Sequence, residues 1–411
     1  MRRRLFAGIG VNILLLGIVS LLTDLSSEMM ISILPMYITS LGGTAFAVGL
    51  TGGLGDSISS MLKVLSGYWS DRTGRRKPFV FFGYGASAVA KLALALATTW
   101  GQIVGFRAVE RTGKGMRDAP RDAIIADSAA VEVRGKAFGI HQTMDTAGAI
   151  GGSLLALLLF WVFGLSYKTI ILACAIVAFA SLVPFLWVRD VRREPQKRSL
   201  GLNFQTLPGR LKYFVAVAAV FALGNFTSWF FVLRAWDFFA ETVSDEKAAA
   251  IAIGLYCVFN VVYSVFSIPV GILSDKIGRG RVLFLGYSLL GLTFLGFAFL
   301  HSVASYVVFF ILYGLTYALV KGAERAFVCD MCPENVRGTA LGTFYTAVGL
   351  VALPSGIIAG LLWEEVASWA AFVYGGSLGL IAAALLLLGM RIWPKTGTPA
   401  CTPEEAPHNT A

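Results

Sequence analysis

The chain has 411 residues, 56% of them hydrophobic and only 14% charged, and its formal net charge is +10 at pH 7. Soluble proteins carry about 25% charged residues, so this chain has too little charge to cover a surface in contact with water. The composition therefore excludes an ordinary soluble protein and predicts that lipid surrounds much of the chain.

Twelve segments are long and apolar enough to be transmembrane helices, since a spanning helix needs about 20 mostly apolar residues. In chain order they are residues 9–38, 45–70, 78–99, 101–127, 135–163, 167–188, 213–241, 247–274, 281–301, 303–330, 338–362 and 367–392. The basic N-terminus leads into the first segment without a small-residue cleavage site, so that segment is predicted to be an uncleaved span. The predicted fold class is an all-α membrane protein.

The basic residues are distributed asymmetrically about these spans. If the N-terminus is inside, 22 of the 34 lysines and arginines lie on the cytoplasmic side, and only Lys168 and Lys247 lie outside. Because basic loops stay in the cytoplasm, both termini are predicted to be cytoplasmic, in a multi-pass protein of the inner (cytoplasmic) cell membrane. The net positive charge follows from this topology and indicates no nucleic-acid partner.

Two changes in composition divide the chain. Residues 189–212 form the longest loop, which is polar and basic, and residues 394–411 are poor in apolar side chains, which is typical of a disordered tail. The predicted domains are an N-terminal six-helix bundle (1–188), a cytoplasmic linker (189–212), a C-terminal six-helix bundle (213–393) and a disordered cytoplasmic tail (394–411).

Short motifs recur at nearly one spacing. Residues 67–75 read G-Y-W-S-D-R-T-G-R and residues 271–279 read G-I-L-S-D-K-I-G-R, while D-S-A-A-V-E-V-R-G at 127–135 matches D-M-C-P-E-N-V-R-G at 330–338. The G-x-x-S-D-[RK]-x-G-R loop resembles the signature of the major facilitator superfamily, and the resemblance covers residues 5–392. It implies two pseudo-symmetric six-helix bundles, with a substrate site near the midplane between them.

The signature loops contain the predicted gating residues. Their glycines permit tight turns and close helix packing, and their aspartates can pair with arginines or helix N-termini at the cytoplasmic face. Such contacts can close one side of a transporter and break when it opens, whereas simple anchoring of the topology is the alternative. The predicted gating set is Gly67, Asp71, Arg72, Gly74, Arg75, Asp127, Arg134, Gly271, Asp275, Gly278, Arg279, Asp330 and Arg337.

The fourth span has one charged face. The charged residues on this face are Arg107, Glu110, Arg111, Lys114, Arg117, Asp118, Arg121 and Asp122. A charge at the bilayer centre costs at least about 2.5 kcal/mol, so this face is predicted to line a water-filled cavity or the seam between the halves. An ion-pair network that only holds this helix to its neighbours is the alternative. Arg107 matches the arginine of the superfamily's R-x-x-Q-G-x-G motif, from which Glu110 and Arg111 depart.

The first span has Asp24 and Glu28 on one face, one turn apart. Two carboxylates so close in a medium of low dielectric favour proton uptake by one of them, and such a group can couple solute movement to a proton gradient. Structural pairing with the arginines of the fourth span is the alternative. Asp56, Asn225 and Asn260 are predicted to lie in the same cavity, and Asp56 and Asn260 are equivalent in the repeat.

Other charges within the spans have a structural interpretation. Lys91 stands alone in the third span and is predicted to be a structural or snorkelling lysine. Lys321, Glu324 and Arg325 of the tenth span are spaced as a group that compensates its own charge. Without the residues at the very ends of the spans, ten basic and nine acidic residues lie within them, and this near balance predicts no sign for the substrate's charge.

These features predict a secondary active transporter that moves a small solute by alternating access as proton-coupled efflux and functions as a monomer. The stretch G-A-I-G-G at 148–152 resembles the superfamily's antiporter motif without its proline. An importer or uniporter of a polar metabolite and a non-transporting membrane sensor are the alternatives. No catalytic constellation, metal site or ATP-binding loop is recognised, so no enzyme activity or cofactor is predicted, and the proton gradient is the expected energy source.

Overall fold

Helices account for most of the computed structural model, which describes residues 10–129, 133–190, 207–332 and 337–392. The first half contains α1 (Val11–Ser40), α2 (Ala45–Thr73), α3 (Lys77–Ala95), α4 (Trp100–Asp127), α5 (Arg134–Leu157) and α6 (Tyr167–Leu186). The second half contains α7a (Gly209–Gly224), α7b (Trp229–Ala240), α8 (Asp245–Ile277), α9 (Arg279–Phe299), α10 (Val303–Asp330), α11 (Arg337–Glu365) and α12 (Ser368–Ile392). The basic N-terminus, most of the predicted linker and the predicted tail lie outside the described residues.

A helix occupies each of the twelve positions predicted to span a membrane. Within the described residues, ten helices are long and apolar enough to cross a membrane by length and composition, when α7a and α7b are taken as one. The other two, α2 and α4, have 29 and 28 residues and are therefore long enough. Glycine, serine and charged residues dilute the hydropathy of α2, and the charged face dilutes that of α4.

The predicted seventh span is not one continuous helix. α7a ends at Gly224 and α7b begins at Trp229. Asn225 has φ −91° and ψ 70°, which is not helical. Asn225, Thr227 and Ser228 belong to the residue types whose side chains compete for backbone hydrogen bonds, so this stretch interrupts an otherwise apolar helix. The span predicted over residues 213–241 therefore corresponds to one candidate membrane span, residues 209–240, whose helix is interrupted.

The two repeated turns have the backbone conformation that the sequence predicts. Gly74, which follows α2, has φ +65°, and Gly278, which follows α8, has φ +96°. A side chain is strained in this left-handed region, so glycine is required there. We call the end of the molecule that contains Gly74 and Gly278 the signature end, and the opposite end the far end.

The two halves pack closely where α2 crosses α11 near the far end. A Cβ atom on Gly49 would overlap the Gly356 carbonyl, and one on Gly53 would lie 2.6 Å from the carbonyl oxygen of Ala352. Small residues of this kind let two helix backbones approach each other in a membrane. The Phe46 amide also donates to Glu364 Oε1 at 2.6 Å. This packing closes the far end between α2 and α11.

Candidate functional site

A polar cavity lies between the two halves. Its deeper part, which we call the chamber, has a volume of about 410 Å³ and includes Glu28, Asp56 and Asn225 in its wall. The second part, which we call the vestibule, has a volume of about 780 Å³ and reaches Gly271 and Ser274 in the last turns of α8, near the signature end. The two parts share lining residues, so they form one continuous cavity.

Glu28 connects the two halves inside the chamber. Tyr256 Oη donates to Glu28 Oε2 at 3.0 Å, and Asn260 Nδ2 lies 3.5 Å from the same oxygen. Tyr256 and Asn260 are one turn apart in α8, whereas Glu28 belongs to α1. The hydrogen bonds described for the Glu28 carboxylate therefore go to the other half rather than to the arginines of α4. Asn260 is 5% exposed and reaches the cavity through its contact with Glu28, so its predicted place in the substrate cavity stays a prediction.

Helix α5 holds α1 in place from one side. The backbone of α1 at Leu21 and Leu25 packs directly on Gly148 and Gly152 of α5, where a Cβ atom would overlap the facing carbonyl oxygens. The glycine-rich stretch of the fifth span thus has a packing role. It brings the face with Asp24 and Glu28 to the cavity wall.

Lys91 of α3 holds α1 from another side. Its side chain is 0% exposed, and Nζ donates to Ser26 Oγ at 2.7 Å and to Ser27 Oγ at 3.0 Å. The snorkelling interpretation is therefore wrong, because the ammonium is buried against α1. The structural interpretation of Lys91 agrees with these contacts.

Asp24 lies in the vestibule wall, one turn of α1 away from the chamber. Asp145 of α5 lines the same part, and the two carboxylates repel each other electrostatically. Asp145 Oδ2 also lies 3.7 Å from His141 Nδ1. The predicted carboxylate pair of α1 therefore divides between the two parts of the cavity, with different partners for each member.

The charged face of α4 has two regions, and the one nearer the far end is buried. Arg107 Nη1 lies 2.8 Å from Glu110 Oε2, and each side chain is 1% exposed. The Arg107 guanidinium is 5.3 Å from the ring centroid of Trp229 in α7b. In this conformation the pair is buried and neither member lines the chamber or the vestibule, as the scaffold alternative expects. The predicted role of Arg107 and Glu110 in the substrate cavity stays a prediction.

The region nearer the signature end lines the cavity, and its members are Arg111, Lys114, Arg117, Asp118, Arg121 and Asp122. Several of them are ion-paired. Arg111 Nη2 lies 3.7 Å from Asp56 Oδ1 in α2, and Arg121 Nη2 lies 2.9 Å from Asp122 Oδ1. Arg117 Nη1 donates to Ser87 Oγ of α3 at 2.9 Å. Both interpretations of the charged face therefore apply, to different turns of one helix.

An arginine follows each signature turn and binds the helix end beside it. In the first half, Arg76 pairs with Asp127 and lies 3.4 Å from Asp71 Oδ1, and its Nη1 donates to the Ala123 carbonyl at 3.2 Å. Sequence reasoning named Arg75, which is exposed. The spacing of 203 residues that relates Asp127 to Asp330 also relates Arg76 to Arg279, and that signal was available.

The second half repeats this network. Arg279 Nη1 lies 2.6 Å from Asp330 Oδ1, Nη2 lies 3.5 Å from Asp275 Oδ1, and Nη1 donates to the Ala326 carbonyl at 2.7 Å. Every partner named for Arg76 or Arg279 belongs to the same half as its arginine. In this conformation, these contacts fasten loops within each half.

The remaining predicted gating residues have varied surroundings. Gly67 approaches Ala119 of α4, as predicted, but a Cβ atom on Gly271 would meet nothing within 4 Å, so close helix packing at Gly271 is wrong. Arg72 Nη1 donates to Tyr68 Oη at 3.1 Å in an exposed setting. Arg134 Nε donates to the Ala126 carbonyl at 3.1 Å, and Arg337 begins α11.

The charges of the tenth span attract one another, as predicted, but among the described residues Glu324 forms no close ion pair with Lys321 or Arg325. Glu324 Oε1 accepts a hydrogen bond from Tyr287 Oη at 2.8 Å. Lys321 Nζ lies 5.1 Å from the Tyr317 ring centroid, and the Arg325 guanidinium lies 5.9 Å from that of Tyr345. All three charged groups line the chamber. Sequence reasoning omitted them from the cavity because their spacing alone suggested pairing.

Comparison with known proteins agrees with this architecture. The sequence profile of the Major Facilitator Superfamily matches residues 16–247 and 216–408. An uncharacterized MFS-type transporter from Methanocaldococcus jannaschii is 46% identical over 378 residues, which cover 92% of this chain and 94% of that protein. The methyl viologen resistance protein SmvA of Salmonella typhimurium is 32% identical over 135 residues, which cover 32% of this chain and 26% of that protein.

The fold of the chain is similar to that of solved transporter structures. The crystal structure of the nucleoside transporter NupG superposes with a TM-score of 0.76 at 14% sequence identity, over 92% of this chain and 99% of that one. The profile matches and the archaeal relative together cover nearly the whole chain. The protein therefore belongs to the major facilitator superfamily of membrane transporters.

Proposed function

We propose that the protein is a twelve-span secondary active transporter that moves a small solute through the cavity by alternating access and is driven by the proton gradient. The observation that carries this proposal is the contact of Glu28 with Tyr256 and Asn260. An ionised carboxylate accepts a charge-assisted hydrogen bond, and a proton on that carboxylate weakens the bond. Proton uptake by Glu28 would therefore loosen α1 from α8 and favour movement of one half against the other.

The shape of the cavity supports alternating access. The vestibule reaches the signature end, whereas α2 and α11 are packed together near the far end. In the opposite conformation, the contacts between Gly49 and Gly356 and between Phe46 and Glu364 would separate, and the signature end would close. Basic loops place the signature end in the cytoplasm under this proposal. The described conformation would then be the one open to the cytoplasm.

Efflux is the direction that we propose. A partial relative, SmvA, is named for resistance to methyl viologen, a property that export of a toxic solute can confer. An importer or uniporter of a polar metabolite is the second candidate, since the polar wall of the chamber suits such a solute equally well. We expect a monomer to be sufficient, because both halves of the cavity come from one chain.

Flux measurements test this function. The purified full chain is screened against small solutes by thermal shift, and the stabilising solutes are then followed in proteoliposomes with and without a pH gradient. We expect flux that the pH gradient accelerates. Flux that is equally fast with and without the pH gradient would instead indicate a uniporter. If no stabilising solute crosses, the transporter proposal is wrong and the non-transporting sensor is favoured.

A further inference from the structure

The junction between the chamber and the vestibule is strongly cationic. The residues that line both parts are Lys63, Lys114, Asp118, Lys321 and Arg325. Four of these five side chains are basic, and the single carboxylate, Asp118, already lies 3.7 Å from Arg121 Nη1. The narrow connection between the two parts therefore has a local excess of positive charge, although the spans as a whole are nearly balanced.

The four cations of the junction have no carboxylate oxygen within 4.0 Å among the described residues. Lys63 Nζ instead lies 5.2 Å from the Tyr345 ring centroid, and Arg325 faces the same ring from the other half. Lys321 faces Tyr317. An aromatic face is a weak partner for a cation, so these groups keep most of their capacity to bind an anion.

Charged residues around the junction, unlike the four junction cations, have close partners. Arg107 has Glu110, Arg111 has Asp56, and Arg121 has Asp122 as close partners. Glu28 and Glu324, which are carboxylates in the chamber wall, accept hydrogen bonds from tyrosines rather than from the junction cations. Asp118 attracts Lys63 and Lys114, and Glu324 attracts Lys321 and Arg325, but only at longer range. A charge at this depth is costly without close compensation, so the four cations leave positions at which a mobile anion can bind.

The junction also joins the two halves. Lys63 and Lys114 belong to α2 and α4, whereas Lys321 and Arg325 belong to α10. An anion between them would attract both halves at once. Such a ligand binds more tightly to the conformation in which the four cations approach each other, and this differential affinity is what a transported solute needs to bias the conformation.

We infer that the junction binds an oxyanion group of the transported solute, so that the substrate is a small organic carboxylate or phosphate ester. This inference rests on the proposed transport function. The chamber, at about 410 Å³, would hold the remainder of the solute against the aromatic side chains of Trp229, Tyr256 and Phe344.

Binding to the purified full chain tests this site. Thermal shift is measured with sodium phosphate and disodium succinate, against succinamide and sodium chloride at equal ionic strength. Phosphate or succinate should raise the melting temperature saturably, while succinamide and chloride should not. The oxyanion with the lower half-saturating concentration identifies the class. Loss of one charged hydrogen bond in Lys321→Gln or Arg325→Gln should weaken binding by about tenfold or more.

Lys247→Gln is the matched control, since Lys247 is exposed at the far end and its loss changes the net charge equally. A second measurement does not depend on variants. Pyridoxal 5′-phosphate forms imines with lysines, which borohydride then fixes for peptide mapping. Lys63, Lys114 and Lys321 should react before Lys247, inorganic phosphate should protect them, and pyridoxal without its phosphate should show no such preference.

The outcomes separate this inference from the proposed function. If neither oxyanion gives a saturable shift, or if Lys247→Gln weakens binding as much as Lys321→Gln, the junction site is wrong. Flux of only neutral or cationic solutes would overturn the junction site while leaving transport intact. Oxyanion binding without flux of any oxyanion would support the site and contradict transport.

Discussion

Glu28 and Asp24 are chemically alike but have different surroundings. Glu28 accepts hydrogen bonds from α8, whereas Asp24 lies in the vestibule beside Asp145. Of these two carboxylates, Glu28 is therefore the one with a described hydrogen bond to the opposite half that its own protonation would change. This difference makes the two positions separable by substitution.

Glu28→Gln should uncouple transport from the pH gradient. The amide keeps the shape of the side chain but cannot take up a proton, so gradient-driven flux should fall at least tenfold while solute exchange without a gradient continues. Both rates are measured in proteoliposomes, with exposed Glu246→Gln as the control. If gradient-driven flux survives in Glu28→Gln and disappears in Asp24→Asn, Asp24 is the coupling group.

The buried pair of Arg107 and Glu110 should contribute to stability. Arg107→Ala leaves the carboxylate of Glu110 without its closest partner, and breaking a buried pair in this way costs about 3–5 kcal/mol. The melting temperature of the purified protein should fall by several degrees, whereas exposed Arg72→Ala should leave it nearly unchanged. The double variant Arg107→Met/Glu110→Met should recover most of the loss. An unchanged melting temperature in Arg107→Ala would contradict this assignment.

At the residue scale, chemistry and depth in the span were the usable signals. They predicted Asp24, Glu28 and Asp56 at a cavity, because a carboxylate within a span has few other stable positions, and the structure places all three in its wall. Their roles stay predictions. The partner of Glu28 could not be predicted, since Tyr256 is 228 residues away and lies on the other half. Only the repeat equivalence of Asn260 to Asp56 pointed to that part of α8.

At the scale of elements, the crossing of α2 and α11 should control access from the far end. Gly49→Ala introduces a methyl group that overlaps the Gly356 carbonyl, so this variant should favour separation of the two helices. Thr227→Cys, in the chamber wall, reports the change through labelling by an impermeant maleimide added from the far side. Labelling should be several-fold faster than in the Thr227→Cys parent.

Gly105→Ala is the control for this experiment, because a Cβ atom on Gly105 would meet nothing within 4 Å. The control should label like the parent protein. Equal labelling in Gly49→Ala would show that α2 and α11 do not close the far end.

Element boundaries followed from hydropathy except where polar residues interrupt a span. The segment of α7a and α7b is apolar enough to read as one helix, since hydropathy averages over the four residues between them. The signal for the break was the sequence G-N-F-T-S at 224–228, which combines a glycine with side chains that bind the backbone. An average of hydropathy does not detect hydrogen bonding between side chains and the backbone, so it missed the break.

For the whole molecule, the basic loops predict an orientation in the membrane that can be measured directly. Lys276→Cys near the signature end should be protected from an impermeant maleimide in intact cells, and Lys247→Cys at the far end should be labelled. Both lysines are exposed, so the two sites differ mainly in the side that they face. Permeabilisation should make them equally reactive. The reverse pattern would place the signature end outside and contradict the positive-inside prediction.

The repeat, with motifs at a spacing of 203–204 residues, predicted equivalent loops in the two halves of the chain, and the networks of Arg76 and Arg279 are equivalent in the structure. The cationic junction was not predictable in the same way. Counting all charges within spans gave a near balance, and only the three-dimensional arrangement shows which cations lack close partners.

The break in α7 has a further consequence for the chamber. The C-terminus of α7a and the N-terminus of α7b both lie at the chamber wall. The peptide dipoles of a helix sum to roughly half a unit of negative charge at its C-terminus and half a unit of positive charge at its N-terminus. The chamber therefore has a permanent electric field from backbone atoms alone. Unlike the charge on Glu28, this field does not titrate. A solute can be oriented by the fixed field at every pH, whereas under the proposed coupling the protonation of Glu28 controls its movement.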